Sequence, residues 1–149
     1  MLTVLTMDLD ADTLRDGQPV TIVADGDTVY ATATSLYVAN DQRWRIQALF
    51  RPATPGGPVI APPPPQQRTE LYEFDTSGPG RPRYVAAGTV PGYLVNRYAL
   101  GEWNGDLRVA TTIGNLVRSQ AAHQLRCVRL HQQGRTLAEI GQVDGLGKG

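Results

Sequence analysis

The dominant repeat of hydrophobic positions along the chain is two residues. In "LTVLTMDLD" Thr3, Leu5, Met7 and Leu9 share one face, and Leu2, Val4 and Thr6 share the other. In "TELYEFD" Tyr72 and Phe74 point one way, and Leu71, Glu73 and Asp75 the other. In "DLRVATT" Leu107, Val109 and Thr111 alternate with Arg108, Ala110 and Thr112. Such alternation, with apolar residues on both faces, predicts β-strands that are partly buried on each side. The stretch 113–124, "IGNLVRSQAAHQ", lacks a cap and a full apolar stripe, and reads as a loop with at most a helical turn.

Three segments repeat one another: Leu2–Gly26, Thr69–Gly92 and Leu125–Gly145. Each holds an alternating strand, a polar or glycine-containing turn, a second strand and a closing glycine. Two further strand pairs lie between them, Asp27–Asn40 and Pro91–Thr112. The unit is therefore four strands, and the chain reads as half a unit followed by two whole ones. Repeated four-stranded units with little helix predict an all-β fold, a partial β-propeller of about two and a half antiparallel blades. Residues 1–26 form the half blade, 27–92 a blade interrupted by an insertion at 41–68, and 93–145 a second blade. A β-sandwich is the competing architecture, but it needs no repeating four-strand unit. In the insertion, Pro62 to Pro65 are consecutive and cannot donate ladder hydrogen bonds. It reads as a solvated loop, with an extra strand in "RWRIQALF" as an option.

The strongest turn signal is Asn104-Gly105, a two-residue hairpin connection needing positive φ at both positions. It places Trp103 opposite Asp106 and suggests a bulge or bend at Gly101. Trp103 is expected to pack the turn against a neighbouring blade, with a stacking platform for a sugar or base as the sharper alternative.

Composition narrows the class. The 149 residues suffice for one domain with its own core, and the formal net charge is zero. No bulk field recruits nucleic acid or an anionic membrane. No apolar run approaches the ~18 residues of a transmembrane helix, and the N-terminus lacks a signal-peptide pattern. The single cysteine, Cys127, excludes an intrachain disulfide and a cysteine-built zinc site.

Candidate chemistry is sparse. Asp8, Asp10 and Asp12, followed by Asp16, suggest a calcium loop, but the positions that require Gly and Glu hold Thr13 and Pro19. A looser calcium site and a simple set of turn-forming aspartates both fit. His123, Cys127 and His131 are spaced by four, which on a strand separates neighbours by about 13 Å, too far for one metal. Cys127 then reads as a small core residue and the histidines as strand-end residues. Thr111-Thr112 is explained as strand. The inner strands, placed at Thr28–Ala33 and Val95–Leu100, contain no Asp, Glu or His. No catalytic, cofactor-binding or metal-binding residue is assigned.

The stretches "VPGYLVNRYALGEWNGDLRVATT", "GDTVYATATSLYVAN", "TELYEFD" with "RYVAAGTVPG", and "EIGQVDGLGKG" resemble bacterial secreted proteins with a C-terminal β-propeller domain distantly related to WD repeats. Family members carry a tyrosine or similar residue where Trp103 stands, then the same Asn-Gly and "LRVATT". The resemblance covers most of the chain outside the insertion. It implies secretion or cell-envelope attachment, a multi-blade propeller, and no established catalytic residues. The expected role is a non-catalytic binding or scaffold module with an extracellular protein or glycan partner, without nucleic acid. A propeller enzyme with its active site in other blades is the alternative. The length, short of a four-blade ring, suggests an internal fragment whose open faces the remaining blades of the parent propeller cover.

Overall fold

The computed structural model describes residues 1–10, 12–13, 17–41, 67–113 and 124–146. Among these residues it holds strands and turns and no helix. The readings at Asp16, at His123, in the Pro-rich insertion and across 114–123 lie outside the described residues.

Strands β1 (Leu2–Val4) and β2 (Val20–Ile22) form a two-stranded antiparallel sheet. Strands β3 (Thr28–Ala31), β4 (Ser35–Asn40), β5 (Arg68–Asp75) and β6 (Arg83–Pro91) follow as an antiparallel meander, sheet A. The second meander, sheet B, contains β7 (Tyr93–Leu94), β8 (Leu100–Trp103), β9 (Asp106–Ile113), β10 (Gln124–Gln133) and β11 (Thr136–Leu146). Strands β7 and β8 occupy the same edge of β9, opposite Thr111–Thr112 and opposite Asp106–Val109. They are one interrupted strand, so sheet B also has four strand positions.

The interruption corrects one expectation. Val95–Leu100 is not an inner strand: residues 95–99 loop out between β7 and β8. The Tyr98 N–H donates to the Asn96 side chain at 2.7 Å, and the Ala99 N–H to the Asn96 carbonyl at 3.1 Å. Asparagine favours this kind of local turn over a ladder. The first inner strand is likewise shorter, because Thr32 Oγ1 caps the turn after Ala31 by accepting from the Thr34 and Ser35 N–H groups.

The two meanders repeat each other down to an irregularity. In sheet A, Tyr37 pairs with Glu73 and Glu73 with Ala86; in sheet B, Arg108 pairs with Arg129 and Arg129 with Gly141. Two residues along, Ala39–Leu71–Gly88 matches Ala110–Cys127–Val143. Each sheet has a register shift at the same place, after Glu73 in A and after Arg129 in B. A bulge bends and twists its strand, so a shared bulge gives the two sheets a shared curvature.

The two meanders are joined edge to edge through β6 and β11 into one nine-stranded mixed sheet that curls on itself. Tyr37, Ala39, Leu71, Ala86 and Val90 of sheet A meet Leu100, Leu107, Val109, Val128, Leu130 and Leu137 of sheet B in one core. Leu107, Val109 and Thr111 are fully buried and Arg108 is exposed, so the alternation of "DLRVATT" is realised. The opposite face of sheet A buries Val38 and Phe74. Val38 reaches the β1–β2 unit there: its Cγ1 occupies the space where a Gly26 side chain would begin, with Leu2 Cδ1 at 3.7 Å. Both faces of "TELYEFD" are thus covered, as a stacked sheet requires. In β1 the Leu2 and Val4 face is half-buried, whereas Leu5, Met7 and Leu9 beyond it are exposed.

The backbones of β6 and β11 come close at Gly88, where an added Cβ would lie 2.6 Å from the Leu137 carbonyl oxygen. Here β6 and β11 touch in parallel through Ala87 and Thr136. The Ala87 N–H donates to the Arg135 carbonyl at 3.2 Å.

Candidate functional site

The β8–β9 hairpin closes as its sequence dictates. Asn104 has φ 55° and Gly105 φ 79°, and Trp103 pairs with Asp106. Gly101 pairs regularly with Arg108, with no bulge, and corrects that expectation. Trp103 does not pack against a neighbouring sheet: it is 67% exposed, and the Arg108 guanidinium lies 5.9 Å from its ring centroid. The pleat alternation sends Trp103 to the face of sheet B that carries Arg108, away from the shared core.

Asp106 does more than face Trp103. It is buried, and its Oδ2 accepts from both Arg129 Nε, at 2.7 Å, and Arg129 Nη2, while Oδ1 lies 2.7 Å from His131 Nδ1. The Arg129 hydrogen bonds, then those of His131, hold its carboxyl below the usual carboxylate range. His131 lies near the end of β10, as expected, and has Asp106 as its partner. Cys127 is half-buried, with Ala110 and Val143 as its cross-strand neighbours, rather than fully in the core. Asp8 Oδ1 accepts the Asp10 N–H at 3.0 Å, the local turn expected of such residues. Among the described residues no group of three or more His, Cys, Asp or Glu side chains could hold a metal ion.

A second polar cluster lies in the seam between the sheets, and sequence reasoning missed it. Tyr30 stacks on Tyr37 with ring centroids 6.1 Å apart, and the Tyr30 hydroxyl accepts the Glu102 N–H at 3.0 Å. The Tyr37 hydroxyl stands 3.0 Å from Glu102 Oε2 and 3.4 Å from Glu73 Oε1. Thr32 Oγ1 donates to Glu102 Oε2 at 3.5 Å. Glu73 is only 8% exposed, and its Oε2 has no hydrogen-bond partner. Burial raises the Glu73 pKa, and the Glu102 and Asp75 charges add to this against the Tyr37 hydrogen bond. Burial, with Glu73 beside it, also pushes the Tyr37 phenol up. Two carboxylates from two sheets therefore meet at one tyrosine. The signal was present: Glu102 lies two residues after Leu100, on the core-facing side of a strand that runs to Trp103 rather than ending at Leu100.

Beside this seam, β3 is the last strand of its sheet, and its outer edge is unpaired among the described residues. A shallow hollow there is lined by Thr28, Val29 and Tyr30 of β3 and by Arg97, Tyr98 and Leu100. Tyr98 is 75% exposed, with the Arg97 guanidinium 4.8 Å from its ring centroid.

A family model described as "Beta propeller domain" matches residues 1–149. No curated protein and no solved structure matches the chain.

Proposed function

From the premise that the chain belongs to the Beta propeller domain family, we propose that it is a non-catalytic binding or scaffold module. Its partner is an extracellular protein or glycan, and its place is outside the cell or at the envelope. The fold itself is a partial β-propeller, with sheets A and B as blades. The observation that carries the binding role is the open β3 edge beside Arg97 and Tyr98. An unpaired strand offers backbone donors and acceptors to an extended segment, and an exposed tyrosine with an arginine over it suits a peptide or a sugar ring. The clustered charges, by contrast, have structural work: Asp106 ties β9 to β10, and Glu102 ties blade B to blade A. The secreted setting rests on the family resemblance of the sequence.

The converging Glu73 and Glu102 favour a second reading, a propeller hydrolase using paired carboxylates. One set of measurements separates the two. Peptide and glycan arrays probed with the purified chain should give binding that Tyr98→Ala and Arg97→Glu abolish. Chromogenic ester and glycoside substrates should not turn over. Turnover that Glu73→Gln or Glu102→Gln removes would overturn the binding-module reading.

A further inference from the structure

The Tyr37 hydroxyl lies within hydrogen-bonding distance of two carboxylates but carries a single hydrogen. If it donates to Glu102 at the shorter distance, 3.0 Å, the 3.4 Å contact to Glu73 has no hydrogen unless Glu73 supplies one. With both carboxylates ionised, that contact is oxygen against oxygen, between a lone pair and an anion. The remaining Glu73 oxygen, Oε2, is buried without a partner. A neutral carbonyl oxygen tolerates this far better than half of an anion. No basic side chain resolves the conflict: among the described residues, the ion pairs reach neither Glu73 nor Glu102.

We propose that the seam is a proton-binding lock: Glu73 carries a proton and donates it to Tyr37, Tyr37 donates its own to Glu102, and loss of the Glu73 proton loosens blade B from blade A. This does not depend on what the module binds. The titratable groups bearing on Glu73 are Tyr37 on β4, Glu102 on β8 and Asp75 on its own strand, while its partner on β6 is Ala86. Asp75 is itself held by Arg83 at 2.8 Å and by Ser77. Glu102, half-buried, accepts from Thr32 and Tyr37.

The sign of the pH dependence follows. A carboxyl more easily protonated in the folded state contributes stability that is whole below its unfolded pKa and lost as the pH rises through the folded one. The Glu73 contribution therefore declines as the pH rises above 4.5, its ordinary value.

The test is a carbon-13 NMR titration of the glutamate carboxyls in the intact chain, with urea midpoints measured across the same pH range. Glu73 should titrate above 4.5, and the Tyr37 ring and Glu102 resonances should shift with the same midpoint. Glu73→Gln, whose amide can donate in place of the acid, should lose this part of the pH dependence and keep the seam closed at alkaline pH. Titration of Glu73 at or below 4.5, or identical pH profiles for Glu73→Gln and the parent, would overturn the proposal. The titration is made on the unmodified protein, so it decides the matter even if the variant fails to fold.

Discussion

At the scale of single residues, the β8–β9 turn separates backbone from side-chain demands. Gly105 has φ 79° and open space around its absent Cβ, so Gly105→Ala adds only left-handed backbone strain. The expected cost is about 1 kcal/mol, read from chemical denaturation. Asp106 makes a different prediction. Its carboxyl is depressed by Arg129 and His131, so its contribution is present above the usual 3.8 and lost as the pH falls through the lower folded value. Asp106→Asn should flatten the acid limb of the stability profile, and unchanged acid sensitivity would exclude this role. The turn was legible because Asn-Gly has few alternatives at positive φ. The partners of Asp106 were not, since they stand 23 and 25 residues further along the chain on another strand. Trp103 illustrates the same limit: local sequence fixes its place in the pleat, but not what lies over that face.

At the scale of elements, two strand glycines should respond in opposite ways. A Cβ at Gly88 meets the Leu137 carbonyl oxygen at 2.6 Å and the Leu137 Cβ at 2.7 Å. Gly88→Ala must push β6 from β11, at a cost of roughly 1–3 kcal/mol. Gly101 pairs regularly, has no positive φ, and has nothing within 4 Å of its added Cβ. Gly101→Ala should be neutral or stabilising by up to about 1 kcal/mol, as expected where glycine only weakens a strand. Thermal melts of the two variants check both. Strand identity was legible wherever alternation was long, as in β5 and β9. Boundaries failed where a side chain competed for backbone groups: Asn96 opens the loop between β7 and β8, and Thr32 ends β3. Glu102 escaped notice because it lies just past Val95–Leu100, the stretch read as the inner strand.

At the scale of the whole molecule, the repeat in the sequence is a repeat of geometry. Corresponding faces point the same way in both blades, and the bulge recurs at Glu73 and Arg129. What occupies the equivalent positions differs. Blade A presents Tyr37 and Glu73 to blade B, whereas blade B presents Arg108 and Arg129 on its own outward face. Burial of both strand faces could be inferred from strands with two apolar faces, whereas the seam chemistry needed three strands from two blades brought together. Deleting core volume at the seam should therefore act on both blades at once. Leu71→Ala, at a fully buried position of the shared core, should cost about 2–5 kcal/mol and lower the unfolding transition as a single step.

Two four-stranded blades share one core and a seam where Tyr37 meets Glu73 and Glu102. A three-dimensional NMR experiment for through-space contacts tests this arrangement most directly. Contacts from the Tyr37 ring to the Glu102 side chain are expected across the seam. Hα–Hα contacts in both meanders should skip one residue after Glu73 and after Arg129. Helical contacts in the strand segments, or a Tyr37 ring remote from Glu102, would contradict it.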